Sequence, residues 1–128
     1  MLVIGNVDIT QEGEWMDITI WGGTIRVKVR PRTAEIVKSI RDRFKDMKEG
    51  KKKEETIIDA MYDHFVEDFE EFGVENADKT ITRYEVNVEN KKKLLFIPVP
   101  MGEQTIYERV YNKSVELGFK VVEEEQKN

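Results

Sequence analysis

Trp15-Met16-Asp17-Ile18-Thr19-Ile20-Trp21-Gly22-Gly23-Thr24-Ile25-Arg26-Val27-Lys28-Val29 decides how the rest of the chain is read. Apolar Met16, Ile18 and Ile20 alternate with Asp17 and Thr19, and Ile25, Val27 and Val29 alternate with Arg26 and Lys28. Side chains along a strand point to opposite faces in turn, so each run carries one apolar and one polar face. The Gly22-Gly23 step between the runs supplies the positive φ of a tight turn, and the whole stretch predicts an antiparallel β-hairpin. Trp15 and Trp21 share the parity opposite to Met16, Ile18 and Ile20. With the aliphatic set on the core, both indoles face the other way, either toward a partner or beneath a second layer such as the last helix.

Upstream, Leu2 to Ile9 reads as a third strand turned through Gln11-Glu12-Gly13-Glu14, and downstream Pro31 ends the sheet. Thr33 is placed to cap a helix from Ala34, with Ile36, Val37, Ile40, Phe44 and Met47 on one face and Gly50 as its stop. Lys51-Lys52-Lys53 then reads as a solvated connector. A second helix is expected from Glu54 to Phe72, with Ile57, Ile58, Met61, Phe65, Phe69 and Phe72 on its apolar face and Gly73 as its cap. Residues 74–79 read as a loop, and the alternation from Thr80 to Val88 as an extended segment. Asn90 is a cap for a short helix through Phe96, although 94–99 fits a strand equally well; Pro98 and Pro100 break either. Thr105-Ile106-Tyr107-Glu108 has the spacing of a capping box. The closing helix buries Ile106, Val110 and Leu117 and is expected to end at Gly118.

The sum is an α+β fold: an N-terminal antiparallel hairpin or small sheet packed with about three helices. At 128 residues the chain fits one domain over 1–122, followed by a polar, frayed tail over 123–128. The hydrophobic share is 39% and the charged share 37%, with net charge -5, but 6 Phe, 4 Tyr and 2 Trp suffice for one modest core. With no cysteine, disulfides, thiolate metal sites and cysteine nucleophiles are excluded. No apolar run approaches the roughly 20 residues that span a bilayer. Met1-Leu2-Val3-Ile4-Gly5 lacks the basic flank and longer apolar stretch of a signal peptide, so a cytoplasmic location without membrane attachment is expected.

Charge is segregated along the chain. Residues 34–53 hold 8 basic and 4 acidic side chains, whereas 54–78 hold 10 acidic and no lysine or arginine. On helical geometry Lys38, Arg41, Lys45 and Lys48 share one face of the first long helix, and Asp59, Asp63, Glu67 and Glu70 one face of the second. The acidic face is either solvated, paired with the basic helix within or between subunits, or a metal site. Self-association or a protein partner would use these charged faces together with Trp15 and Trp21.

Catalytic patterns are weak. His64 has Asp68 four residues on, a spacing that lets both point at one metal, but zinc needs three or four suitable ligands and there is no second histidine. Ser39 and Ser114 are the two serines, and neither sits in a Gly-x-Ser-x-Gly elbow. Trp21-Gly22-Gly23 lacks the Gly-Lys-Ser/Thr ending of a phosphate loop. No catalytic residue, metal or cofactor is expected. Basic Arg26, Lys28, Arg30 and Arg32, with Lys51 to Lys53 and Lys91 to Lys93, leave a nucleic-acid-binding accessory role as the alternative, opposed by the overall acidity.

Val66-Glu67-Asp68-Phe69, Glu89-Asn90 before Leu94-Leu95, Pro98 or Pro100, and the stretch Ile106 to Leu117 together resemble the tail-assembly chaperones of siphophages. The similarity covers about the last half of the chain, and Phe69 stands where that pattern has a tryptophan. The resemblance implies a non-enzymatic, phage-type assembly protein that shields the tape-measure protein before the tail tube forms. It implies helical partners and no catalytic residues.

Overall fold

A computed structural model describes residues 11–20 and 22–127. The expected strand over Leu2 to Ile9 and the position of Trp21 lie outside the described residues. The fold is α+β, with four helices and antiparallel sheets of three and two strands among the described residues.

The hairpin forms as its alternation demands. Strand β1 (Glu14–Ile20) pairs antiparallel with β2 (Gly23–Val29), in register Trp15↔Lys28, Asp17↔Arg26 and Ile18↔Ile25. Gly23 takes φ +147°, a region that favours glycine, at the exit of the turn. The third strand of this sheet arises where helix was expected. Helix α2 (Lys51–Phe65) stops at Phe65, and β3 (Val66–Glu70) follows at once and pairs with β2.

Three long-range hydrogen bonds stop α2. The Arg30 amide donates to the Phe65 carbonyl at 3.0 Å and the Arg30 guanidinium to the His64 carbonyl at 3.0 Å. Lys91 Nζ donates to the Asp63 carbonyl at 2.8 Å. The last carbonyls of the helix are thereby satisfied by side chains and strand backbone rather than by a further turn. The pairing of β3 shifts between Lys28 and Val29, so that Val66 and Phe69, three residues apart, both reach the core. That bulge hides the strand, because a spacing of three reads as helical.

Other boundaries also move. Helix α1 (Ala34–Asp42) is capped by Thr33, whose hydroxyl accepts from the Ile36 amide at 3.2 Å, but it ends well before Gly50. Lys51 to Lys53 form the first turn of α2, and Lys53 is buried and paired with Glu49. The segment after β3 is a small hairpin of β4 (Gly73–Glu75) and β5 (Ile81–Arg83), so only part of the extended 80–88 segment is strand. Helix α3 (Val88–Leu95) is capped by Asn87 rather than Asn90, and residues 94 and 95 are helical. The Thr105 capping box forms, with the Glu108 amide donating to Thr105 Oγ1 at 3.1 Å. Helix α4 (Ile106–Lys127) then runs through Gly118 and takes in most of the segment expected as a frayed tail.

The main core lies on one face of the three-stranded sheet. Ile18, Ile25, Val27, Val29, Val66 and Phe69 meet Leu94 and Leu95 of α3 and Ile106 and Val110 of α4. A second, smaller cluster joins Ile36 and Ile40 of α1 to Phe65 of α2. Helix α4 is drawn against the chain just after β2: Ser114 Oγ donates to the Arg30 carbonyl at 2.7 Å, and the Arg32 amide to the Ser114 carbonyl at 2.9 Å. One turn on, a Cβ on Gly118 would collide with the Arg32 carbonyl. Gly118 therefore serves a close crossing of backbones and not a helix stop.

Candidate interaction surface

Helix α4 carries two apolar stripes. Ile106, Val110, Ser114 and Leu117 are buried against the sheet and the chain that follows it. Tyr107, Tyr111, Val115, Phe119 and Val122, spaced by four, four, four and three residues, form a second stripe that starts at Tyr107, packed against the core, and turns outward toward Phe119. Tyr107, Val115 and Val122 are half-buried, Tyr111 is 41% exposed and Phe119 68% exposed.

At its N-terminal end this stripe continues onto Phe96, just past the end of α3. The Tyr107 ring stacks between Phe96, at 6.0 Å and 12° between planes, and Tyr111, at 6.1 Å and 29°. Tyr62 of α2 meets both Phe96 and Tyr107 edge-on. These offset and edge-to-face contacts are the favoured geometries of aromatic pairs and hold the rings in one row. The Arg32 guanidinium closes the row, 3.8 Å from the Phe65 ring centre and 4.8 Å from that of Tyr111. Burial holds Arg32 below the usual arginine range, and its Nε is buried without a hydrogen-bond partner. Aromatic faces stand where a carboxylate would otherwise neutralise it.

At the C-terminal end the stripe borders a groove of about 290 Å³ between the start of α1 and the second half of α4. Arg32, Thr33, Ala34 and Glu35 form one wall, and Val115, Gly118, Phe119 and Val122 the other. The missing side chain of Gly118 lets the Arg32 backbone form the floor.

The residues singled out in the sequence are dispersed. Asp59 pairs with Lys92 at 3.1 Å and Asp63 with Lys91 at 3.0 Å, both in α2, whereas Glu67 and Glu70 belong to β3. The expected four-carboxylate helix face does not form, because the helix ends between the second and third of its members. Glu67 is instead the hub of the sheet's open face: it accepts from the Gly13 amide at 2.8 Å and forms ion pairs with Lys28 at 3.0 Å and Arg30 at 3.2 Å. Burial alone would raise the Glu67 carboxyl, but the Gly13 and Lys28 hydrogen bonds and the Arg30 charge hold it below its ordinary value. Glu70 pairs with Arg26 at 2.9 Å.

On the basic side, Lys38 and Arg41 are in α1, but Lys45 and Lys48 lie beyond its end, so that face does not form either. Arg41 reaches Glu54 of α2 at 3.8 Å, and Lys38, Lys45 and Lys48 are exposed. Trp15 lies half-buried on the sheet face away from the core, with the Arg26 guanidinium 4.8 Å from its ring centre; α4 does not cover it. Its indole is roofed by cations of the neighbouring strand. The strand cations Arg26, Lys28 and Arg30 are all in ion pairs.

His64 and Asp68 do not stand four residues apart on one helix. Asp68 is in β3 and accepts from the Phe69 amide. His64 is buried, and burial together with Arg30, Arg43 and Arg32 pushes its pKa down to about 4. Among the described residues no three His, Asp or Glu side chains gather as a metal-binding group. No helix among them is long and apolar enough to cross a membrane.

Local pattern hides the outward end of this stripe, because Gly118 predicts a helix end that cuts Phe119 and Val122 away. The available signal was Tyr107, Tyr111, Val115 and Phe119 at a constant spacing of four. No family model matches the chain, and neither a curated protein nor a solved structure shows significant similarity to it.

Proposed function

We propose that this chain is a non-enzymatic assembly protein that holds another protein against the outward stripe of α4, in the manner of the tail-assembly chaperones that its second half resembles. The observation that carries this reading is the exposed Phe119, in line with Tyr111 and beside an open groove on a helix whose other side is already buried. Large aromatic side chains with one polar edge, gathered in a row and flanked by charge, are the usual anchors of protein interfaces. The acidic residues expected on one partner-binding helix face, Asp59, Asp63 and Glu67, are instead engaged in ion pairs between elements of the fold, which leaves the aromatic stripe as the surface without an internal role. The ion pairs on the strand cations weigh against nucleic-acid binding, which needs cations free to meet phosphate.

The test is co-expression with the tape-measure protein of the same genome, reading how much of that protein stays in solution. The wild-type chain should raise the dissolved fraction, and a Tyr111→Gln, Phe119→Gln chain should not. A tape-measure protein no better dissolved with the wild-type chain than without it would sink the proposal. Light scattering over a range of concentrations and salt tests the accompanying expectation of self-association, with a mass that never exceeds one chain as the contrary result.

A further inference from the structure

The stripe and groove on α4 have a charged rim, and its sign constrains what fits. Among the exposed side chains of α4, Glu108, Glu116, Glu123 and Glu125 are acidic and Lys120 is basic, whereas Glu124 lines a separate groove on the opposite side with Leu117 and Val121. Lys120 is itself 3.7 Å from Glu116. The cations of α4 on its other sides are already committed: Lys113 to Glu14 at 3.0 Å, and Arg109 to the Thr19 carbonyl at 3.2 Å. Across the groove the lining contributes Glu35, with Lys38 one turn beyond it. Arg32 also lines the groove, but it is partly buried and its guanidinium is turned onto Phe65 and Tyr111. An apolar seam about five residues long is thus bordered mainly by carboxylates.

We propose that this seam takes one amphipathic helix of a different protein, with lysine or arginine on either side of its apolar face. This rests on the assembly reading above and names the chemistry of its partner. Spacings of four and three along Tyr107, Tyr111, Val115, Phe119 and Val122 match the ridges of a second helix laid alongside. The groove beside Phe119 accepts an anchor side chain. The acidic border meets the partner's cations at the rim, where complementary charge speeds encounter and selects the partner more than it tightens the complex. A second copy of this chain is the poorer occupant, because a two-fold pairing across the seam sets identical carboxylate rims against one another.

The probe is a labelled synthetic amphipathic peptide of leucine at helical spacing with lysine elsewhere, compared with its glutamate twin by fluorescence anisotropy on the full chain. The lysine peptide should bind at least about ten-fold tighter than the glutamate twin, and its affinity should fall as salt is raised. Phe119→Gln removes one aromatic anchor without adding charge and should weaken the lysine peptide about ten-fold or more. Ile81→Gln, on the exposed β4–β5 hairpin, controls for general stickiness and should leave binding unchanged. Equal binding of both peptides, or a Phe119→Gln chain that binds as the wild type does, overturns the proposal. Absence of peptide binding, while the Tyr111→Gln, Phe119→Gln chain still fails to dissolve the tape-measure protein, refutes the basic partner and leaves the assembly surface standing. Absence of both effects removes the two together. A mass that doubles with concentration and returns to one chain in Phe119→Gln assigns the seam to a second copy instead.

Discussion

The two faces of the three-stranded sheet share one backbone and are held by different forces. On one side Ile18, Ile25, Val27, Val29 and Phe69 are sealed beneath α3 and α4. On the other, Asp17, Arg26 and Glu70 lie in one row across β1, β2 and β3, joined at 3.1 and 2.9 Å. Beside them runs the row Trp15, Lys28 and Asp68. Apolar burial stabilises in proportion to area and tolerates sliding, whereas an exposed ion pair contributes little but exists in one register only. The buried face therefore supplies most of the stability, and the charged face discriminates the correct strand alignment, since a slip of one residue would bring carboxylates under the core.

This contrast gives an order of effects. Ile18→Ala, on the sealed face, should cost about 2–5 kcal/mol in urea unfolding; a loss near that of a surface substitution would break the comparison. Glu67→Ala strips the Gly13 amide and Lys28 of their acceptor and Arg30 of its counter-charge and should cost about 1–3 kcal/mol, because Glu67 is largely buried although it belongs to the charged side. Its contribution also has a pH signature. A carboxyl held low in the folded state stabilises fully above its unfolded value, near 4.5, and that stability is lost as pH falls through the lower folded value. His64 adds an earlier decline: with its folded pKa down from 6.5 to about 4, the unfolded chain takes up the proton first and stability falls across that window. Wild type and Glu67→Ala should decline together between those values, and the gap between them should close only below about 4.5. Arg26→Ala, exposed and bonded on both sides, should cost about 0.2–1 kcal/mol and lose even that at high salt. Phe119→Gln should change stability by less than about 0.5 kcal/mol, a result that separates its role in binding from any role in folding.

What could be read from the residues follows the range of the forces involved. The β1–β2 hairpin, the Thr33 and Thr105 caps and the buried side of α4 rest on neighbours in sequence, and local pattern gives them directly. The end of α2 does not, because Arg30, more than thirty residues upstream, takes its last carbonyls. Strand β3 is masked by its own bulge, which puts Val66 and Phe69 on one face at a spacing that imitates a helix. Gly118 is the reverse case, a residue whose usual local meaning is a stop but whose purpose is the backbone of Arg32 in the opposite wall. The same long-range forces decide the surface: the end of α2 divides Asp59 and Asp63 from Glu67 and Glu70, and the passage of α4 through Gly118 joins Phe119 and Val122 to the row of Tyr107 and Tyr111.

The bonds that tie α4 to the sheet also set an order of events during synthesis. Ser114 reaches the Arg30 carbonyl across 84 residues, Arg109 the Thr19 carbonyl across 90, and Lys113 reaches Glu14 across 99. Contacts so distant in sequence form late and slow the search for the native state. A ribosome that has released the hairpin and the first three helices still lacks the piece that closes Ile18, Val27 and Val29 from water. At about 5–20 residues per second, the last helix emerges seconds after the strands it covers. For that interval the nascent chain carries an aliphatic sheet covered only by α3, and anything that stalls translation before α4 prolongs its exposure to aggregation.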